Sequence, residues 1–171
     1  MNSSYLESSI KQFEYYKSLG EKTFNQINEK DIHWQFNSES NSISIIVKHM
    51  VGNMLSRWTN FLIEDGEKDW RQRDSEFEDT YQDKEELLAA WEKGWQSLFN
   101  AINPLTIGDL ERIIYIRNQG HTVTEAINRQ LAHYAYHVGQ IVFLGKMLNN
   151  DQWKSLSIPK GASTTYNTEK F

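Results

Sequence analysis

Four separate stretches of this chain repeat apolar residues every three or four positions, and only Pro104 and Pro159 interrupt the backbone. Residues at that spacing fall on one face of a helix, and proline is what would break such runs. The pattern therefore predicts long helices that must hide their apolar faces against one another. The first stretch runs Leu6, Ile10, Phe13, Tyr16, Gly20, Phe24 and Ile27. The second spans Ile43 to Ile63, with Ser42 as its N-cap, and is apolar on most of its circumference. A helix of that kind is buried on several sides. The third starts near Asp83, in capping-box spacing with Glu86, and carries Leu87, Leu88, Trp91, Trp95, Leu98 and Ile102 up to Pro104. The fourth opens on Thr122 and Glu125, again a capping box, and runs Ile127, Leu131, Tyr134, Val138, Ile141, Gly145 and Leu148 down one line. Four amphipathic helices with one shared core predict an all-α four-helix bundle. At 171 residues the chain is the size of one ordinary domain, so residues 1–171 are expected to form a single unit.

Three connections are less simple. "RIIYIRNQGHTV" joins a β-branched and aromatic run to a glycine-containing turn, which predicts a small β-hairpin before the fourth helix. Residues 64–82, "EDGEKDWRQRDSEFEDTYQ", form a charged loop longer than the roughly 12 to 15 residues of ordinary connections. Its Trp70, Phe77 and Tyr81 predict that it packs down through aromatics. From about residue 151 the chain loses its helical period and reads as an irregular tail.

Composition narrows the chemistry. There is no cysteine, so disulfides and thiolate metal sites are excluded, and a transition metal would need His, Asp or Glu ligands. A formal charge of −5 gives no electrostatic reason to expect direct nucleic-acid binding. No apolar run approaches the roughly 20 residues that span a bilayer, and "NSSYLESSIKQ" after Met1 lacks the apolar segment of a signal peptide. No membrane partner is expected, and the expected location is the cytoplasm.

The histidines carry the functional question. His133 and His137, in "LAHYAYHVGQ", stand four apart on a helix, about 5 to 6 Å apart at Cβ, where two imidazoles can reach one ion. That spacing alone is weak evidence, because two core histidines four apart are common. The stretch also lacks the glutamate of H-E-x-x-H, so a metalloprotease base between the ligands is excluded. His49, in the most apolar helix, supplies the third ligand from a facing element. Three histidines with an open fourth position are the layout of a catalytic rather than a structural site. Gly52 and Gly139 each cost about 1 kcal/mol relative to alanine within a helix, which points to close approach of the two helices around an ion, unless the glycines simply relieve crowding by Trp58 or Tyr136. His33 and His121 read as loop histidines.

Together, "ISIIVKHMVGNMLSRWTNFLIEDGEKDWRQRDSEFED", "LAHYAYHVGQIVFLGKML" and "SIPKGAS" resemble the DinB-like superfamily of damage-inducible, four-helix metalloproteins, and within it a Bacillus-type subfamily. The resemblance spans nearly the whole chain. It implies an up-down-down-up helix arrangement, a homodimer, and one divalent metal held by His49, His133 and His137. Relatives in that superfamily include thiol transferases and isomerases that use low-molecular-weight thiols such as bacillithiol or mycothiol, and suspected hydrolases.

A divalent ion on three neutral imidazoles keeps its full charge. It can bring the pKa of a bound water to about 7 or favour the thiolate of an incoming thiol. With no cysteine in the chain, the second route needs a low-molecular-weight thiol cosubstrate. Zinc and nickel lead the candidate metals. The substrate, a small molecule, is expected between the second helix after His49 and the charged loop. There Asn53 and Arg57 would orient a carboxylate or a water, unless Arg57 simply pairs with a loop acid such as Asp65 or Glu67. Gln140 is the candidate partner that fixes an imidazole. No residue is assigned as general base. Two classes stay open: a metal-dependent thiol transferase or hydrolase, and a non-catalytic metal-binding or dimeric structural protein. A catalytic site would open onto a pocket of about 300 Å³ or more.

Overall fold

The computed structural model describes residues 4–170 and is mostly helical: among these residues, five α-helices and one two-stranded antiparallel hairpin. In chain order they are α1 (Ser4–Phe24), α2 (Ile43–Trp58), α3 (Lys84–Ile102), β1 (Ile113–Ile116), β2 (Gln119–Thr122), α4 (Val123–Asn149) and α5 (Ser163–Lys170). Helix α2 packs chiefly on α3, and α1 on α4, while α2 also meets α4 and α1 meets α3. The faces named by the apolar period are the buried ones. Phe13, Phe24, Met50, Met54, Leu87, Trp91, Trp95, Tyr134 and Ile141 lie in one continuous core. Its centre is aromatic: Phe13, Trp95 and Tyr134 meet at ring separations of 5.7 to 6.4 Å, drawing α1, α3 and α4 together. No helix is long and apolar enough to cross a membrane among the described residues.

The caps show how local sequence sets the helix starts. The Ser42 side chain accepts from the Ile45 amide at the head of α2. Thr122 and Glu125 form a reciprocal box at the head of α4. At α3 the box is split: Asp83 accepts from the Glu86 amide, but the Glu86 carboxylate reaches the amide of Gln82 instead.

Four expectations need correction. Helix α2 stops at Trp58 rather than Ile63, because Ser56 Oγ and the Arg57 guanidinium both donate to the carbonyl of Gly66. The chain must double back to meet them, and it does so through Asn60 at φ 51°, a left-handed conformation that asparagine tolerates. The hairpin turn is made by Arg117 and Asn118, at φ 55° and 59°, and Gly120 lies within β2. Two positive φ values are the signature of a type I′ turn. Here the Asp65 carboxylate steadies it by accepting from both turn amides, at 2.8 and 2.7 Å. The 64–82 loop does pack down, through charge as well as aromatics: Tyr81 packs against the core, Trp70 is 56% and Phe77 50% exposed, while Asp65 holds the hairpin and Asp79 accepts from Ser42 and Ser44 at the head of α2. The tail is not wholly irregular. Eight residues beyond Pro159 and Gly161 form α5, exposed over residues 163–168 and with no apolar stripe for periodicity to detect.

Candidate metal centre

Helices α2 and α4 cross where a buried chain of hydrogen bonds ties them. Trp58 Nε1 donates to Tyr134 Oη at 3.1 Å, and Tyr134 Oη donates to Asn53 Oδ1 at 3.0 Å. The tie fixes α4 at Tyr134, so the neighbouring His133, and His137 one turn on, face His49 of α2. The ligating nitrogens of the three all lie within 4.8 Å of one another, a group able to hold a metal ion. His133 Nε2 is 3.3 Å from His49 Nε2 and 3.1 Å from His137 Nε2. Two nitrogens bound tetrahedrally at about 2.0 to 2.1 Å would lie about 3.3 to 3.4 Å apart, close to both values.

Proton accounting makes the fit stronger than distance alone. His49 Nδ1 is 3.0 Å from a Glu76 carboxylate oxygen, and His137 Nδ1 is 2.9 Å from Gln140 Oε1. Both partners accept, so each Nδ1 carries a proton, and in the neutral ring each Nε2 keeps its lone pair; these tautomers follow from the network. Burial, reinforced by His137 and His49, pushes His133 down to about 3, so it is neutral at neutral pH. Burial also lowers His137. A neutral His133 has one proton to share between two lone pairs. A divalent cation satisfies all three at once.

The 64–82 loop supplies the group that sequence reading missed. Glu76, 5% exposed, accepts from Arg71 Nε at 2.6 Å and Arg71 Nη2 at 2.9 Å while its second oxygen holds His49. Burial by itself would raise the Glu76 carboxyl, but the hydrogen bonds from Arg71 and His49 outweigh it and hold the group below its ordinary value. Gly52 makes the room. A Cβ there would stand 2.4 Å from Glu76 Oε1. The glycine thus admits a loop carboxylate, not a facing helix, and Gly139 has nothing within 4 Å of a Cβ, so close helix approach explains neither. Phe77 stacks on His49 at 5.2 Å, and Tyr136 meets His137 edge-on at 4.9 Å, flanking the imidazoles.

Of the remaining site candidates, Gln140 meets His137 as described. Asn53 and Arg57 border a cavity of about 220 Å³ that His49 and His133 also line. Arg57 contacts the Gly66 carbonyl and, at 3.4 Å, Glu67, whereas Asp65 is occupied by the hairpin turn. The cavity is smaller than the 300 Å³ expected because arginine side chains crowd its walls. A larger concavity of about 500 Å³, between the ends of α2 and α3, has no titratable side chain in its lining and lies away from the histidines. His33 pairs with Asp79 on the loop, and His121 lies in β2. Glu76 and Arg71 were illegible because a loop has no period to mark which of its many charges turn inward. Its unusual length was the one available signal.

The chain belongs to the family described as "Protein of unknown function (DUF1572)", whose model matches residues 1–162 and so includes all three histidines and the whole of the charged loop. No curated protein and no solved structure matches it.

Proposed function

We propose that the chain is a metal-dependent enzyme acting on a small molecule, of the thiol-dependent transferase or hydrolase type. His49, His133 and His137 are its ligands for one divalent transition metal, zinc or nickel. The observation that carries this reading is the proton count at the histidines: two Nδ1 atoms are tied to acceptors and the Nε2 atoms converge. An ion bound there supplies Lewis acidity to a water or to the sulfur of a thiol cosubstrate. The residues of the chain do the rest. Glu76 and Gln140 hold two imidazoles in the ligating tautomer, which such partners commonly do at metal sites. Arg71 keeps Glu76 ionised, and Asn53 and Arg57 face the substrate from α2.

Two features favour catalysis over a structural ion. Among the described residues the group comprises three protein donors, whereas a structural site is closed by a fourth. Two of the histidines, His49 and His133, also border a cavity instead of being sealed in packing. The pairing of α1 with α4 and of α2 with α3 supports a DinB-like bundle of up-down-down-up order, forming one domain. The exposed stripe Tyr136, Phe143 and Met147 on α4 supports a homodimer.

Metal analysis of protein purified without an affinity tag, wild type against His133→Ala, tests the reading. The expected result is about one equivalent of a single divalent metal, lost in the variant. Turnover is then sought with thiols and electrophiles, and with hydrolysable esters and amides. A wild-type protein that stays empty when zinc, nickel and manganese are offered overturns it.

A further inference from the structure

The cavity beside the histidines is lined by five guanidiniums drawn from four parts of the chain: Arg57 of α2, Arg71 and Arg73 of the loop, Arg117 of the hairpin turn and Arg129 of α4. They answer to two carboxylates. Glu76 takes Arg71, and Glu67 serves Arg73 at 2.8 Å, Arg117 at 3.3 Å and Arg57 at 3.4 Å. Arg129 has no ion-pair partner among the described residues. Local positive charge is therefore in excess in a chain whose net charge is −5.

Unpaired polar atoms collect at the same place. Arg57 is 5% exposed, yet its Nε has no hydrogen-bond partner. Arg71 Nη1 is likewise buried and unpaired. A buried charged donor without an acceptor is costly. Burial, with Arg71 and Arg73 close by, holds the Arg57 guanidinium below its ordinary value, which reports the same crowding of like charge. An anion in the cavity would offset that charge. Guanidinium forks match the paired oxygens of carboxylate and phosphate, and about 220 Å³ suits a small anionic group better than a large apolar body.

We infer that this cavity is an oxyanion-binding subsite, which holds the carboxylate or phosphate group of a small-molecule substrate beside His49 and His133. The inference rests on the metal-dependent reading for the reaction it serves, but the anion binding itself needs no metal. The anion would sit among the side chains of Arg57, Arg71, Arg73, Arg117 and Arg129. Charge neutralisation then selects acidic substrates over neutral ones.

The test is calorimetric titration of metal-stripped protein with inorganic phosphate and, separately, malonate, using sodium chloride at matched ionic strength as the control. One saturable site per chain is expected. Stronger binding of phosphate assigns a phosphate-bearing substrate, and stronger binding of malonate a carboxylate-bearing one. The double variant Arg117→Gln/Arg129→Gln, at the exposed rim, is expected to weaken binding about tenfold with unfolding temperature unchanged. His137→Ala, outside the cavity lining, is expected to lose metal and keep the anion. Absence of saturable binding beyond chloride, or binding indifferent to the double variant, overturns the subsite even if the metal binds. Anion binding in a protein that takes no metal would keep the subsite and overturn the enzyme reading instead.

Discussion

The aromatic centre between α1, α3 and α4 and the histidine–arginine face between α2, α4 and the loop both contain unpaired buried donors, but of different kinds. In the centre they are the indole N–H groups of Trp91 and Trp95, neutral and enclosed by other rings. At the face they are guanidinium nitrogens beside a cavity. A neutral orphan costs on the order of 1 to 3 kcal/mol, which a large buried ring can offset through its apolar area. A charged orphan has no such offset in place. One region is built for stability, and the other carries unresolved charge that its surroundings hold fixed.

Truncating the centre should break that contrast most forcefully. Trp95→Ala is expected to cost about 3 to 5 kcal/mol of stability, measured by urea unfolding. Below the lowered unfolding temperature the variant should bind metal with unchanged stoichiometry, since Trp95 does not touch the histidines. A loss of metal site with native-like stability would mean that the two regions are not separable.

Glu76→Gln acts at the face. The isosteric amide still fits the room made by Gly52, but it leaves Arg71 without its counter-charge. Removing one partner of a buried pair costs about 3 to 5 kcal/mol at the extreme; here the upper limit should not be reached, because the amide oxygen still accepts. Metal affinity should fall about 10- to 100-fold, the usual consequence of losing an orienting partner, as read by competition with a chelator. Unchanged affinity would remove Glu76 from the site.

The smallest effect sharpens the comparison through pH. Hydrogen bonds from Arg73 hold the Glu67 carboxyl below the ordinary glutamate range. Its folded pKa is thus lower than its unfolded one, so its contribution is present above the unfolded value and fades as pH falls through the folded one. Glu67 is partly exposed, so Glu67→Gln should cost under about 1 kcal/mol at pH 7. The gap from wild type should close below about pH 4. A gap that persists at pH 3 would show that packing, not charge, is what Glu67 supplies.

Local pattern made much of this molecule legible. The apolar faces of α1 to α4, the caps at Ser42 and Thr122, the hairpin and the pair His133 and His137 all rest on spacings of a few residues, and short-range geometry converts such spacings into structure directly. His49, 84 positions from His133, was legible only from its apolar helix and the family resemblance. The partner groups at the site follow no such rule. Glu76 reaches His49 across 27 positions, Arg117 and Arg57 converge on Glu67 from opposite sides of it, and Gly52 owes its place to a carboxylate in a loop. The same holds for the early stop of α2, which a carbonyl at Gly66 imposes from outside the helix. The sequence by itself determined the helices and the pair of imidazoles on α4, because periodicity and capping act within a turn or two of chain. Only the tertiary structure decided which of the loop's many charges turn inward to orient those imidazoles and leave an arginine-lined cavity beside them. That choice depends on desolvation and on pairing between residues that only the folded chain brings within a few ångströms.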